Sequence, residues 1–219
     1  MNIRYSLLPY TYTLFHRAHA AGETVLRALA WEFPNDASLA GVETQFMSGP
    51  ALLVTPVLEA LATNVRGVFP GVAEGERWYD WYTLREEVVG AGENKTLRAP
   101  LEHQPIHVRG GYIVPMQRAG NTTRTSRLSP WSLVVALDKD GKAEGELWLD
   151  DGIHIEQEAT KEVHVSVANV ISAVFQKLTW FDSSLSRTTL CAPLFLAISR
   201  TACRSRMSRS LARRAVRRA

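Results

Sequence analysis

The chain has 219 residues, enough for one large folded unit or two small ones, and its 46% hydrophobic and 21% charged residues are those of an ordinary soluble globular protein. That composition argues against a disordered or membrane-embedded class. The net charge of +3 hides a split: residues 1–170 carry 15 Lys and Arg against 21 Asp and Glu, whereas residues 171–219 carry 10 basic residues against one acid, Asp182.

The opening, IRYSLLPYTYTLFHRAHAAG, places Ile3, Leu7, Leu8, Tyr12, Phe15 and Ala18 at steps that predict a helix with one buried face. Pro9 falls inside that pattern, where its missing N–H and ring clash should kink or restart the helix, and Gly22 is a reasonable stop. TVLRALAWEFP, residues 24–34, reads as a short strand ended by a turn at Pro34 to Asp36. From there the pattern becomes short β runs separated by turn residues: GPALLVTPVLE, ATNVRGVFPG, RWYDWYT, KTLRAPLE, PIHVRGGYIVP, WSLVVALDKDGKAEGELWLDDG and KEVHVSVAN. Such a series is the signature of a β-sandwich. In IHVRGGYIV, the Gly110-Gly111 pair suits a two-residue hairpin turn, with Ile106 and Val108 on one face and His107 and Arg109 on the other. Asp138 to Gly141 makes a second turn, and Val163, Val165 and Val167 alternate with His164 and Ser166 as a half-buried strand should.

Seven stretches, in order, resemble the C-terminal third of family 31 glycoside hydrolases, the α-glucosidases, especially the fungal maltase type. They are RYSLLPYTYTLFHRAH (4–19), LRALAWEFPND (26–36), TQFMSGPALLVTPVLE (44–59), VRGVFPG (65–71), RWYDWYT (77–83), PLEHQPIHVRGGYIVPMQ (100–117) and GELWLDDG (145–152). The chain departs from the family's RPLFFEFP at Arg27-Ala28-Leu29-Ala30-Trp31, and has Ser48 where the family usually has Trp before Gly49-Pro50. The resemblance implies a mainly β fold in four parts. Residues 1–43 would be the last unit of a (β/α)8 barrel, 44–116 a proximal β-sandwich, 117–170 the incomplete start of a distal sandwich, and 171–219 a Ser/Arg-rich tail, disordered or out of frame. It also implies retaining hydrolysis of terminal α-glucosidic bonds in maltose and α-glucans by the parent enzyme, without a cofactor, in a secreted or extracellular setting.

Retaining glycosidases need two carboxyl groups about 5–5.5 Å apart. The family's Trp-x-Asp-Met-Asn-Glu nucleophile stretch, its Gly-Asp-Asn acid/base stretch and its Arg-Asn-His sugar-binding stretch are all missing from these residues. No catalytic or substrate-binding residue is therefore assigned, and the chain is expected to be inactive alone. The alternative function is a noncatalytic β-sandwich that binds carbohydrate or docks to a separate barrel.

Other candidates have plainer readings. Asp150-Asp151-Gly152 reads as a turn, because neighbouring strand residues point to opposite faces, and Glu86-Glu87 reads as a solvated pair. His16 and His19 share a helix face without a third ligand, and His103 and His107 read as packed or hydrogen-bonded histidines at a strand edge. Alternation puts Trp78 and Tyr82 on one side and Tyr79 and Trp81 on the other, so at least one pair should be core rather than a sugar platform. Cys191 and Cys203 match no metal or disulfide pattern, and no metal is expected.

Asn94-Lys95-Thr96 and Asn121-Thr122-Thr123 are acceptor triplets for N-glycosylation in polar loops, which makes Asn94 and Asn121 the candidate modified residues. The N-terminus lacks the charge and apolar pattern of a signal peptide, and no stretch reaches the roughly 18 apolar residues of a membrane span. Eight Arg between residues 200 and 218 would hold phosphate nonspecifically, and no specific nucleic-acid partner is expected.

Overall fold

A computed structural model describes residues 2–152, 161–167 and 176–179, the last two segments as backbone. The chain opens with α1 (Asn2–Ser6) and α2 (Leu8–Ala21), interrupted at Leu7, with Pro9 in the first turn of α2. A proline there sacrifices an N–H that has no helical partner anyway, so the expected restart is realised. Gly22 closes α2 in the left-handed conformation at φ 73°, its N–H donating to the Ala18 carbonyl.

The expected strand over 24–34 is corrected. Only β1 (Leu26–Arg27) pairs as a strand, and Ala28 leads into α3, a single turn over Leu29–Glu32. Leu29, Ala30 and Glu32 favour helix, and the turn drives Leu29 to complete burial. Asp36 then accepts the Ser38 N–H and starts a 3-10 turn over Ala37–Gly41.

The strands follow in short pieces: β2 (Phe46–Ser48), β3 (Leu52–Val54), β4 (Asn64–Gly67), β5 (Trp78–Asp80), β6 (Lys95–Arg98), β7 (Ile106–Arg109) and β8 (Tyr112–Gln117). After α4 (Thr123–Arg127) come β9 (Trp131–Ala136), β10 (Ala143–Leu149), β11 (Lys161–Val167) and β12 (Gln176–Thr179). They build one antiparallel sheet in the order β1-β2-β3-β7-β5, a second in the order β11-β10-β8-β9-β12, and a β4-β6 pair. In the second sheet only β10 and β8 run parallel. The mainly β expectation is met. Residues 176–179, assigned from sequence to the tail, instead pair antiparallel with β9 from Gln176–Val135 to Thr179–Ser132. The rest of the tail lies outside the described residues, as do the side chains of Val163, Val165 and Val167.

The hairpin expected at Gly110-Gly111 does not form, because β7 belongs to the first sheet and β8 to the second. Only Gly111 has a positive φ, at 90°. The Gly110 N–H donates to the Arg77 carbonyl in one direction, and the Gly111 N–H donates to the Ala136 carbonyl in the other. A Cβ on Gly110 would come within 2.8 Å of the Leu137 carbonyl oxygen, so glycine here admits a close crossing rather than a hairpin. The Asp138–Gly141 turn does form, with Asp138 Oδ1 accepting from the Asp140 and Lys142 N–H groups. Beyond it β8 enters between β9 and β10.

Alternation along the strands feeds two cores on opposite sides of the first sheet. Leu52, Tyr79, Ile106 and Val108 pack with Val114, Met116, Val134 and Ala136 of the second sheet and with Tyr10 and Leu14 of α2. Leu53, Trp78 and Met47 turn the other way, against Leu29, Leu39, Phe69 and Leu97. The first sheet is thus covered on both faces, which is why ALLV, residues 51–54, reads as an unbroken apolar run. No helix among the described residues is long and apolar enough to cross a membrane.

Candidate functional site

β5 carries the aromatic stretch. Trp78 and Tyr79 are both buried, on opposite faces, with the Trp78 indole N–H on the Pro70 carbonyl at 2.9 Å and the Tyr79 hydroxyl on the Leu137 carbonyl at 2.8 Å. Trp81 is partly buried against the core shared with the second sheet. Tyr82 alone of the four is exposed; its hydroxyl donates to the Gln104 carbonyl and its ring lies 4.0 Å from that of His103. Trp78, Tyr79 and Trp81 are therefore packing side chains, and the Tyr79–Trp81 pair lies against one core, as alternation suggested.

The acids that the fold brings together are mostly bridged by arginine. Arg27 contacts Glu23 at 2.9 Å and Glu32 at 2.7 Å, and Arg109 contacts Glu32 at 3.0 Å and Glu76 at 2.5 Å. Arg17 joins the same chain through Glu23 at 3.1 Å and reaches Glu146 of the second sheet at 2.7 Å. Burial alone would lower the pKa of Arg109, but Glu76, Tyr112 and Glu32 outweigh it and the guanidinium is held firmly charged. The arrangement holds α2, α3 and the first sheet together and leaves these carboxylates committed to cations.

The histidines and the acidic turn are likewise structural. His16 stacks on Trp148 with ring centroids 3.5 Å apart, while Thr13 Oγ1 accepts the Trp148 N–H at 3.0 Å, seating α2 on β10. His19 lies in the exposed last turn of α2 and joins no ligand set with His16. Asp150 accepts from the Tyr12 hydroxyl at 2.6 Å and contacts Arg127, and Gly152 turns the chain at φ 68°. That hydrogen bond raises the Tyr12 pKa. Asn94 is exposed just before β6 and Thr96 is exposed on it; Asn121 is exposed before α4, with Thr122 capping that helix through Thr125.

One cluster was not anticipated. Asp80 pairs in register with His107 on the neighbouring strand, and the Glu87 N–H donates to the Trp78 carbonyl on the other side of β5. Since Tyr79 bridges to Glu86, Glu87 falls on the opposite face from it, the face of Trp78, Asp80 and His107. One donor atom each from Asp80, Glu87 and His107 lie within 4.8 Å of one another. The expectation of a solvated Glu86-Glu87 pair therefore holds for Glu86, which is exposed, and is corrected for Glu87, which turns inward onto Lys95 Nζ.

His107 is also corrected: β7 is an inner strand, not an edge, and the side chain is 1% exposed. Its ring meets Phe69 edge-on at 4.7 Å, and burial pushes its pKa down to about 4 although Glu87 and Asp80 pull the other way. Alternation within RWYDWYT and IHVRGG could place Asp80 and His107 on faces, but only the pairing of β5 with β7 makes them neighbours.

Residues 22–114 match the glycosyl hydrolase family 31 C-terminal domain. The chain is 58% identical over 163 residues to an α-glucosidase of Aspergillus niger, covering 74% of this chain and 16% of that protein. It is 51% identical over 184 residues to an α-glucosidase of Aspergillus oryzae, covering 84% of this chain and 19% of the relative. Its fold superposes on a crystal structure of the Tris-bound glucosidase II alpha subunit with TM-score 0.70 and 30% identity, over 76% of this chain and 18% of that one. The chain thus spans less than a fifth of the length of these relatives. The similarity is thus to the C-terminal part of glycosyl hydrolase family 31, whose C-terminal domain is matched within residues 22–114.

Proposed function

We propose that the chain is the noncatalytic C-terminal part of a family 31 α-glucosidase that releases glucose from maltose and related α-glucans with retention. In this reading residues 1–43 complete a catalytic barrel supplied by other sequence. Residues 44–116 form the proximal sandwich, and 117–170 open the distal one, whose sheet β8 already joins. The observation that carries the reading is the apolar surface left on the N-terminal unit: Phe15 is 58% exposed, Leu26 63% and Trp31 68%. Large apolar side chains left out of both cores suit a face meant to be covered. The arginine-bridged acids support the noncatalytic role, and burial of Trp78 and Tyr79 counts against a carbohydrate platform. The secreted setting and glycans on Asn94 and Asn121 belong to the same proposal, supported by the exposure of both side chains.

The test pairs the chain with the catalytic region of the Aspergillus niger relative lacking its own counterpart of residues 1–219. Glucose release from maltose is expected from the pair and not from the chain alone, and Trp31→Asp is expected to weaken the pairing. Turnover by the purified chain, or equal activity of the catalytic region with and without it, would sink the proposal. Expression behind a fungal leader, with Asn94→Gln and Asn121→Gln, reads glycan attachment as a mass shift lost one site at a time. An endoglycosidase-insensitive product of unmodified mass would remove the glycan part.

A further inference from the structure

We propose that Asp80, Glu87 and His107 form a binding site for one divalent d-block cation of the zinc type, linking the first sheet to the segment after Tyr82. The site is independent of the α-glucosidase reading, because it rests on three donors delivered to one face by adjacent strands.

Two observations point to a ligand beyond the acidic pair. First, His107 is almost fully buried yet lacks a hydrogen bond: Nδ1 has no partner, and Nε2 stops 3.9 Å from Glu87 Oε1, too far for one. Nε2 is the nitrogen that faces Glu87, so a cation bound there would engage the buried ring on the side of that carboxylate. Second, Asp80 is already oriented. Its Oδ1 accepts from the Tyr82 and Thr83 N–H groups at 3.1 and 2.6 Å, the kind of support that fixes a ligating carboxylate.

The donor set selects the cation. One imidazole nitrogen and two carboxylate oxygens suit zinc and its neighbours, whereas magnesium and calcium prefer oxygen alone. Ligands about 2.0–2.1 Å from a tetrahedral centre stand about 3.3 Å apart, so the 3.9 Å gap between His107 and Glu87 closes by a small side-chain adjustment. A water would complete the coordination.

Lys95 decides when the site fills. Its ammonium contacts Glu87 Oε2 and the Val88 carbonyl, and so balances one of the two carboxylates in the absence of metal. A divalent ion would have to draw Glu87 away from it, making Lys95 a built-in competitor.

The experiment uses the full chain, free of any affinity tag and stripped with chelator, titrated calorimetrically with zinc chloride at neutral pH. One equivalent of zinc is expected to bind at this site. Glu87→Gln and Asp80→Asn should each weaken binding by at least about tenfold, the scale on which even supporting residues of metal sites act. Lys95→Met should tighten it. X-ray absorption at the zinc edge of the unsubstituted protein should show a single imidazole in a nitrogen/oxygen shell, a readout that needs no variant to fold. No uptake, two or more imidazoles on the metal, or unchanged affinity in both carboxylate variants would overturn the site and place any zinc on surface histidines. Displacement of zinc by equimolar magnesium would overturn the choice of cation.

Discussion

Arg109 is the cation whose loss should be felt most widely. Its guanidinium joins Glu32 of α3 to Glu76 of the loop before β5 and lies 4.6 Å over the Phe33 ring. Breaking a buried pair by removing one partner costs about 3–5 kcal/mol. Two features of the site moderate that figure. Glu32 keeps Arg27 at 2.7 Å, so only Glu76 is left unpaired, and its side chain is 27% exposed and partly rescued by water. Adding back about 0.5–1 kcal/mol for the lost cation–π contact, Arg109→Met should cost about 3 kcal/mol, or roughly 150-fold in the folding constant.

Urea unfolding of the full chain, followed by tryptophan fluorescence, measures this loss. A double-mutant cycle with Glu76→Gln assigns it. The double variant should lose less than the sum of the singles, because Glu76→Gln removes the charge that Arg109→Met strands. Arg109→Lys should fall between, since one ammonium cannot present separate N–H groups to two carboxylates and stack on a ring. A loss below about 1 kcal/mol, or strict additivity in the cycle, would mean that the arginine chain is surface ornament and does not clamp the N-terminal unit.

Tyr10→Phe removes the hydroxyl that donates to the Ser48 carbonyl at 2.9 Å and accepts the buried Ala51 N–H at 3.3 Å; the same unfolding assay should show a loss of about 1–3 kcal/mol. Gly145→Ala should cost about 1–3 kcal/mol, because its Cβ would come within 2.3 Å of the Ile113 carbonyl oxygen and force β8 from β10; an unchanged urea midpoint would contradict the pairing. For metal-free protein, His107 titrates near 4 when folded against about 6.5 when unfolded, so between those values the unfolded chain binds more protons. Stability is then full above about pH 6.5, falls by at most about 1.4 kcal/mol per unit down to pH 4, and levels below. His107→Phe should lose that part of the slope, and equal slopes in the two proteins would refute the assignment.

How far the fold could be read depended on the range over which each signal acts. The helices declared themselves locally: an apolar period, a proline where a helix can begin, and a glycine where one can end. The β1–α3 region failed for the same local reason, since Leu-Arg-Ala-Leu-Ala-Trp-Glu alternates well enough for a strand yet contains one turn of good helix formers. Gly110-Gly111 is the sharper lesson. A pair of glycines between apolar runs has the composition of a hairpin, but what it serves is passage between sheets, and nothing within nine residues reveals that the Arg77 and Ala136 carbonyls are waiting on either side.

Candidate sites follow the same logic. Residues judged by their own spacing, such as Trp78 with Tyr79, were placed correctly, because alternation is a property of one strand. Asp80, Glu87 and His107 were judged singly and looked ordinary, because what makes them a cluster is the register of β5 with β7 and the bridge from Tyr79 to Glu86. Their strand pairing also explains why the cluster survives in a sheet with two buried faces. Sheet edges and loops are the usual places for polar groups, but here Glu87, itself held by Lys95, approaches His107 to 3.9 Å. If a cation completes this arrangement, the buried imidazole is no longer an unexplained cost of the fold. If none does, His107 remains a neutral ring wedged against Phe69, and the pH dependence of unfolding becomes the only place its chemistry shows.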